Sequence, residues 1–134
     1  MKSIHHVAIA ATMFLVYATS AFADEFTDQD LKNWEQDFQT AVIQGRKLFT
    51  DPNLGSNGVV CAQCHPNGAN THPETYPKLQ KQLGRVAVMW EMVNWCIRNP
   101  LEGKDLSPDS PDMIALQAYI TFERRNVKLA PGKH

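Results

Sequence analysis

The chain has 134 residues, 13 basic and 14 acidic, for a formal net charge of −1, and 43% of its residues are hydrophobic. That length permits one small domain with a modest core of its own. The near balance of charge leaves no basic face for nucleic acid or anionic lipid.

After Lys2 an apolar run from Val7 to Tyr17 leads into small residues ending at Ala21-Phe22-Ala23, the A-x-A form of a secretory cleavage site. The run falls short of the roughly 20 apolar residues that span a bilayer, so residues 1–23 read as a cleaved signal peptide rather than an anchor. Residues 24–134 then form the mature domain, and His5 and His6 take no part in its chemistry. An exported chain is expected in the periplasm or an equivalent lumenal compartment.

Leu31, Trp34, Phe38, Val42, Leu48 and Phe49 recur close to a 3.6-residue period, which predicts an amphipathic helix from Leu31 to Phe49. Thr27 and Asp30 supply its N-cap. Asp51-Pro52-Asn53, Gly55 and Gly58 end it and lead into Cys61-Ala62-Gln63-Cys64-His65.

That C-x-x-C-H run marks covalent c-type haem attachment. Cys61 and Cys64 can each form a thioether to one vinyl group of the same porphyrin, and His65 is placed to bind the iron. Zinc ribbons and redox dithiols share a bare C-x-x-C, but neither needs the adjacent histidine, and no second ligand pair follows here.

Between Pro66 and Pro77 the composition predicts an irregular loop, in which His72 reads as a solvated side chain. A second helix is expected from about Lys78 to Arg98, with an interruption near Gly84. Met89, Met92, Val93 and Cys96 would share its inward face, leaving Trp90 and Trp95 for an interface or for packing against other helices. Arg98 reads as a surface residue, with a haem propionate or the Cys96 thiolate as its alternative partner. Asn99-Pro100 breaks the helix, and Ser110-Pro111-Asp112 starts the last one, with Ser as N-cap and Pro at the first helical position. That helix is expected from Pro111 to about Arg124, followed by a frayed tail from Asn126 to His134.

Two of the three cysteines belong to the haem motif, so Cys96 needs a separate account. The candidates for the axial position opposite His65 are Cys96, Met89, Met92, Met113 and His72. Methionine would raise the haem potential, whereas a thiolate stabilises ferric iron and lowers it. By ligand softness and position Cys96 comes first, the methionines next, and His72 or an open site last. Core packing is the competing account of Cys96 and of the methionines, and an intermolecular disulfide is a third use for the cysteine.

Gly45-Arg46-Lys47-Leu48-Phe49, the haem motif, and Leu116-Gln117-Ala118-Tyr119-Ile120 together resemble a class I cytochrome c. The resemblance implies an all-α fold around one haem c, with the first and last helices crossing where Gly45 meets Tyr119. Asn94-Trp95-Cys96-Ile97-Arg98-Asn99, then Gly103, Ser110-Pro111-Asp112-Met113 and Ala118-Tyr119, are similar to the haem domains of thiosulfate dehydrogenases and SoxA subunits. That likeness implies that Cys96 is an axial ligand and Met113 a core residue. The chain departs from those families in having a single haem motif, and in carrying Pro100-Leu101 where thiosulfate dehydrogenases have a Ser-Met-Asn run. Both departures count against thiosulfate turnover. In size, and in pairing one haem with one extra cysteine, it also resembles the NaxLS-type monohaem cytochromes, which associate as heterodimers with His/Cys-ligated haem.

The expectation is therefore a periplasmic monohaem electron carrier of low potential, ligated by His65 and Cys96, that works with another small cytochrome or a redox partner and not as an enzyme itself. Binding of NO or CO after release of Cys96 is one alternative. Service as a haem subunit of a sulfur-oxidising enzyme is another.

Overall fold

A computed structural model describes residues 25–129. The expected leader and its cleavage point lie outside them, as does the end of the tail. Helix α1 spans Asp28–Phe49. Its start is the capping box expected at Thr27: the Thr27 hydroxyl accepts from the Asp30 N–H at 3.2 Å, and the Asp30 carboxylate accepts from the Thr27 N–H at 2.7 Å.

Only the C-terminal half of α1 is packed. Val42, Gly45 and Phe49 are buried, whereas Leu31, Trp34 and Phe38 are 48%, 54% and 36% exposed. The expected core stripe is thus corrected for the first turns of the helix. The cause is length: at 1.5 Å per residue α1 runs about 33 Å, while the helix it packs against, α4 (Pro111–Arg124), has only 14 residues. The N-terminal end of α1 overhangs its support.

Where α1 and α4 cross, backbone meets backbone. A β-carbon on Gly45 would lie 1.9 Å from the Ala115 carbonyl oxygen and 2.7 Å from the Tyr119 Cβ, so no side chain fits there. One helical turn on, the Phe49 and Tyr119 rings sit with centroids 5.0 Å apart. Ser110 caps α4, its hydroxyl accepting from the Met113 N–H at 3.2 Å, with Pro111 first in the helix as expected. Phe49, Ile97, Met113 and Leu116 are the largest fully buried side chains, and they join the two crossing helices to α3 (Met89–Arg98).

Between the crossing helices lie the one-turn helix α2 (Cys61–Cys64) and two short 3-10 turns, Pro66–Gly68 and Pro73–Thr75. The helix expected from Lys78 is not continuous with α3. Residues Lys78–Gln80 and Arg85–Ala87 instead form strands β1 and β2 of an antiparallel hairpin, pairing Lys78 with Ala87, Leu79 with Val86 and Gln80 with Arg85. Gly84, with φ +68°, makes the turn that an L-residue resists, and its N–H donates to the Gln80 carbonyl at 2.8 Å. Leu79 and Val86 point outward, 66% and 62% exposed, while Ala87 on the other face is buried. Helix α3 can begin only after the hairpin, and there the Glu91 carboxylate accepts from the Val88 N–H at 2.9 Å. Past α4, residues 126–129 carry no helix or strand. The described elements are four helices and this small hairpin, an all-α cytochrome fold with one β addition. Among the described residues no helix is long and apolar enough to cross a membrane.

Candidate haem site

The helices and the hairpin enclose a cavity of about 310 Å³. Phe49, Leu116 and Ile120 of the crossing helices give it an apolar floor, and Cys61, Cys64 and His65 stand at one side. The single turn of α2 places all three. The Gln63 amide oxygen accepts from the Val60 N–H at 3.1 Å to start the turn, and the Cys61 carbonyl accepts from the His65 N–H at 2.9 Å to close it.

His65 is oriented by its own neighbourhood. Its Nδ1 is 2.8 Å from the Ala69 carbonyl oxygen. A carbonyl only accepts, so Nδ1 carries the proton and the Nε2 lone pair is left for a metal. This is the partner arrangement that fixes ring and tautomer in metal-binding histidines. The 3-10 turn that follows presents Ala69, through the Gly68 N–H to His65 carbonyl bond at 3.0 Å and the Ala69 N–H to Pro66 carbonyl bond at 3.0 Å.

Helix α3 supplies another wall, with Met89, Met92, Val93 and Cys96 all lining the cavity, the inward face read from their spacing. Trp95 lines it too, which corrects its expected placement off that face: the cavity is wider than one helical stripe. Trp90 is half-buried. Met113 is fully buried but is not part of the cavity lining, and neither is His72, which lies 3.4 Å from the Glu74 carboxylate. Met89 and Val93 also pack against the buried core cluster. Arg98 is exposed, does not line the cavity and pairs with Asp105, in keeping with its reading as a surface residue.

Burial pushes the Cys96 thiol up to about 11, with the charge of Cys64 adding to it. Burial likewise raises Cys61 to about 11, and there the next cause is the charge of Cys96. All three cysteines line the same cavity, close enough to feel one another's charge. An anionic sulfur in such surroundings requires a cation beside it, which a bound metal supplies. Two thiols spaced for a porphyrin, an imidazole with a fixed tautomer, an apolar floor and a third thiol in the same cavity make a donor set that fits haem c.

The segments carrying the two sides of the cavity are tied together below it. The Ser56 N–H donates to the Leu101 carbonyl at 2.9 Å, the Ser56 hydroxyl to the Glu102 carbonyl at 2.8 Å, and the Asn57 amide to the Pro100 carbonyl at 2.9 Å. The loop before Cys61 is thereby joined to the loop after Cys96.

Residues 44–129 match the family described as SoxA/TsdA, cytochrome c domain. The chain belongs to that family. It carries one covalently bound haem c and has a role in haem electron transfer. It is 31% identical to a thiosulfate dehydrogenase of Psychrobacter arcticus, over 66% of this chain and 31% of that protein. With a thiosulfate dehydrogenase of Allochromatium vinosum it shares 25% identity, over 65% of this chain and 38% of the relative. The chain thus spans about a third of the length of these curated relatives.

The remaining wall was not foreseen from the sequence. Tyr76, Lys78, Gln80 and Gln82 line the cavity from the hairpin side. Reading 78–98 as one helix hid Lys78, Gln80 and Gln82, and Tyr76 fell in the segment read as an irregular loop. The signal available was Gly84 together with the polar-apolar-polar alternation Lys78-Leu79-Gln80, which places Lys78 and Gln80 on one face.

Proposed function

We propose that this chain is an exported, low-potential electron-transfer cytochrome whose haem is held between His65 and Cys96, passing electrons to or from a redox partner. The observation that carries the reading is Cys96, a half-buried thiol on α3 that lines the same cavity as the attachment cysteines. Haem supplies a one-electron iron couple, and the residues around it set its potential and reorganisation. Thioether bonds from Cys61 and Cys64 fix the ring. Hydrogen-bonded to Ala69, His65 is a stronger donor than a free imidazole. Thiolate from Cys96 favours the ferric state and lowers the potential. Because the loop after α3 is tied to the attachment segment through Ser56 and Asn57, His65 and Cys96 would keep their separation as the charge on a bound iron changes, which would keep reorganisation small. Cleavage of residues 1–23 and a periplasmic location belong to the same proposal, as does a partner cytochrome in a heterodimer.

Among the methionines, Met92 is the first rival to Cys96: it lines the cavity without packing on the core cluster, whereas Met89 does both and Met113 is outside the cavity. Electron paramagnetic resonance and visible spectra of the ferric wild type, Cys96→Ala and Met92→Ala decide between them. Loss of the low-spin ferric signal in Cys96→Ala, with Met92→Ala unchanged, is expected. The reverse pattern transfers the ligand role to Met92 and removes the low-potential argument. Exposing the ferrous protein to CO tests diatomic binding, and an unchanged spectrum rejects it.

The named relatives favour one further reading, a haem subunit for sulfur oxidation with Cys96 beside the sulfur substrate. Thiosulfate-dependent reduction of the haem in the presence of a competent acceptor would support it. Absence of turnover, with the haem still reducible by dithionite, rejects it and leaves electron transfer alone.

A further inference from the structure

Lys78 is the only lysine or arginine among the described residues that lines the haem cavity. It enters from β1, with Leu79 beside it turned out to solvent. Its ammonium donates to the Thr71 carbonyl at 3.1 Å and the His72 carbonyl at 3.3 Å, and sits 4.4 Å from the centre of the Tyr76 ring. An ammonium has three N–H donors, and the two carbonyls occupy two of them.

No carboxylate among the described residues lies within ion-pair distance of this ammonium. The ion pairs among the described residues are His72–Glu74, Arg85–Glu91 and Arg98–Asp105, and Lys78 is in none of them. Burial lowers its pKa, and the charge of Glu74 only partly opposes that. Carbonyl oxygens and a ring face orient an ammonium without neutralising it. A half-buried cation on the wall of an apolar cavity is stabilised far more by a hydrogen-bonded anion.

Haem brings two carboxylates of its own, the propionates. We infer that Lys78 holds one of them, donating its third N–H to the propionate, while Thr71, His72 and Tyr76 keep the ammonium aimed into the cavity. Gln80, whose amide donates to the Tyr76 hydroxyl at 2.5 Å, steadies that ring. The assignment rests on the haem but not on which residue is the sixth ligand, so it stands or falls separately from Cys96. Lys78 is a positioning residue and an electrostatic one: a positive charge at the propionate favours the ferrous state.

The test uses holoprotein of wild type, Lys78→Gln, Lys78→Arg and, as a control on the exposed turn of the hairpin, Lys81→Gln. Spectroelectrochemical titration and the propionate bending mode in resonance Raman spectra are the readouts. In Lys78→Gln the ferrous-to-ferric ratio at a fixed ambient potential should fall up to about tenfold, equivalent to about 59 mV for a one-electron couple, and the propionate mode should shift. Lys78→Arg should restore both in large part, and Lys81→Gln should change neither. A Lys78→Gln protein with wild-type potential and propionate mode overturns the assignment. So does a Lys81→Gln shift as large as that of Lys78→Gln, which would reduce the effect to general surface charge. If instead the propionate mode is unmoved in Lys78→Gln while added sulfate or thiosulfate perturbs the spectrum of wild type alone, Lys78 holds an anion from solution and the propionate assignment is wrong.

Discussion

Asn94 and Leu106 exchange two hydrogen bonds, the Asn94 amide donating to the Leu106 carbonyl at 2.9 Å and the Leu106 N–H donating to the Asn94 side-chain oxygen at 3.0 Å. The side chain thus acts as a length of strand, satisfying both backbone groups of a residue in the loop before α4. Asn94 is 3% exposed and precedes Cys96 by half a turn of α3, so the bond pair fixes the helix that carries the proposed ligand. Replacing it with leucine leaves a buried donor and a buried acceptor unpaired, at about 1–3 kcal/mol each. Asn94→Leu should therefore lower stability in urea by roughly 2–4 kcal/mol, and broaden the low-spin ferric signal if Cys96 is displaced. Asn94→Asp keeps the acceptor but turns a carboxylate oxygen towards the Leu106 carbonyl. Protonation supplies the missing donor, so the penalty in this variant should shrink as pH falls. A penalty independent of pH would mean that water has taken the place of the amide.

Gly45 offers a sharper steric test. With the Ala115 carbonyl oxygen 1.9 Å from the position of a β-carbon, the helices must separate to admit even alanine. Overpacking of this kind costs about 1–3 kcal/mol, and backbone atoms cannot rotate away as a side chain would. Gly45→Ala should lower the melting temperature of the holoprotein and weaken the Phe49–Tyr119 contact, read from near-ultraviolet circular dichroism. Gly45→Val should prevent haem incorporation altogether.

Legibility in the sequence followed the strength of the local constraint. The haem motif was readable because two thioethers and an axial bond to one rigid ring demand a fixed spacing. Thr27 with Asp30, and Ser110 with Pro111, were readable because a helix start leaves donors that only certain side chains satisfy. The hairpin was not, since strands of three residues show almost no period and Lys, Gln and Leu are good helix formers. Gly84 was the one local sign. Arg98 follows Cys96 by two residues, which turns it about 200° around the helix, and the same geometry that aims Cys96 inward sends Arg98 to Asp105. The exposed half of α1 was hidden for another reason. Periodicity identifies the face of a helix but not how far its neighbour extends.

Glu91 joins the hairpin to α3 and gives the fold a dependence on acid. Its carboxylate pairs with the Arg85 guanidinium at 2.5 Å and accepts from the Val88 N–H at 2.9 Å. The arginine, then the backbone N–H, hold its pKa below the ordinary glutamate value. A carboxyl depressed on folding contributes stability above its unfolded pKa, about 4.3, and that contribution is lost as pH falls through the lower folded value. Hydrogen exchange at Val88 and along β2, corrected for the intrinsic pH dependence, should therefore lose protection below about pH 4.3 before the α1–α4 crossing does. Glu91→Gln should show the faster exchange already at neutral pH. Equal protection in the variant would mean that the hairpin is held by Lys78 and the cavity wall alone.

The overhang of α1 makes the last prediction a comparison within one helix. Trp34 and Val42 lie on the same sequence stripe, yet Trp34 is 54% exposed and Val42 only 6%. Removing an apolar side chain costs stability in proportion to the surface it hides. Trp34 has the Phe26 ring as a neighbour, centroids 5.6 Å apart, at an end of the helix that α4 does not reach. Val42→Ala should destabilise by about 1–3 kcal/mol, the cost of lost burial plus a cavity at the helix crossing. Trp34→Ser, the more drastic change chemically, should stay within about 0.5 kcal/mol by urea denaturation of the holoprotein, with the Soret band and potential unchanged. If Trp34→Ser proved the more damaging of the two, the first turns of α1 would have to be covered in solution, and the described packing of α1 against α4 would not account for the stability of the domain.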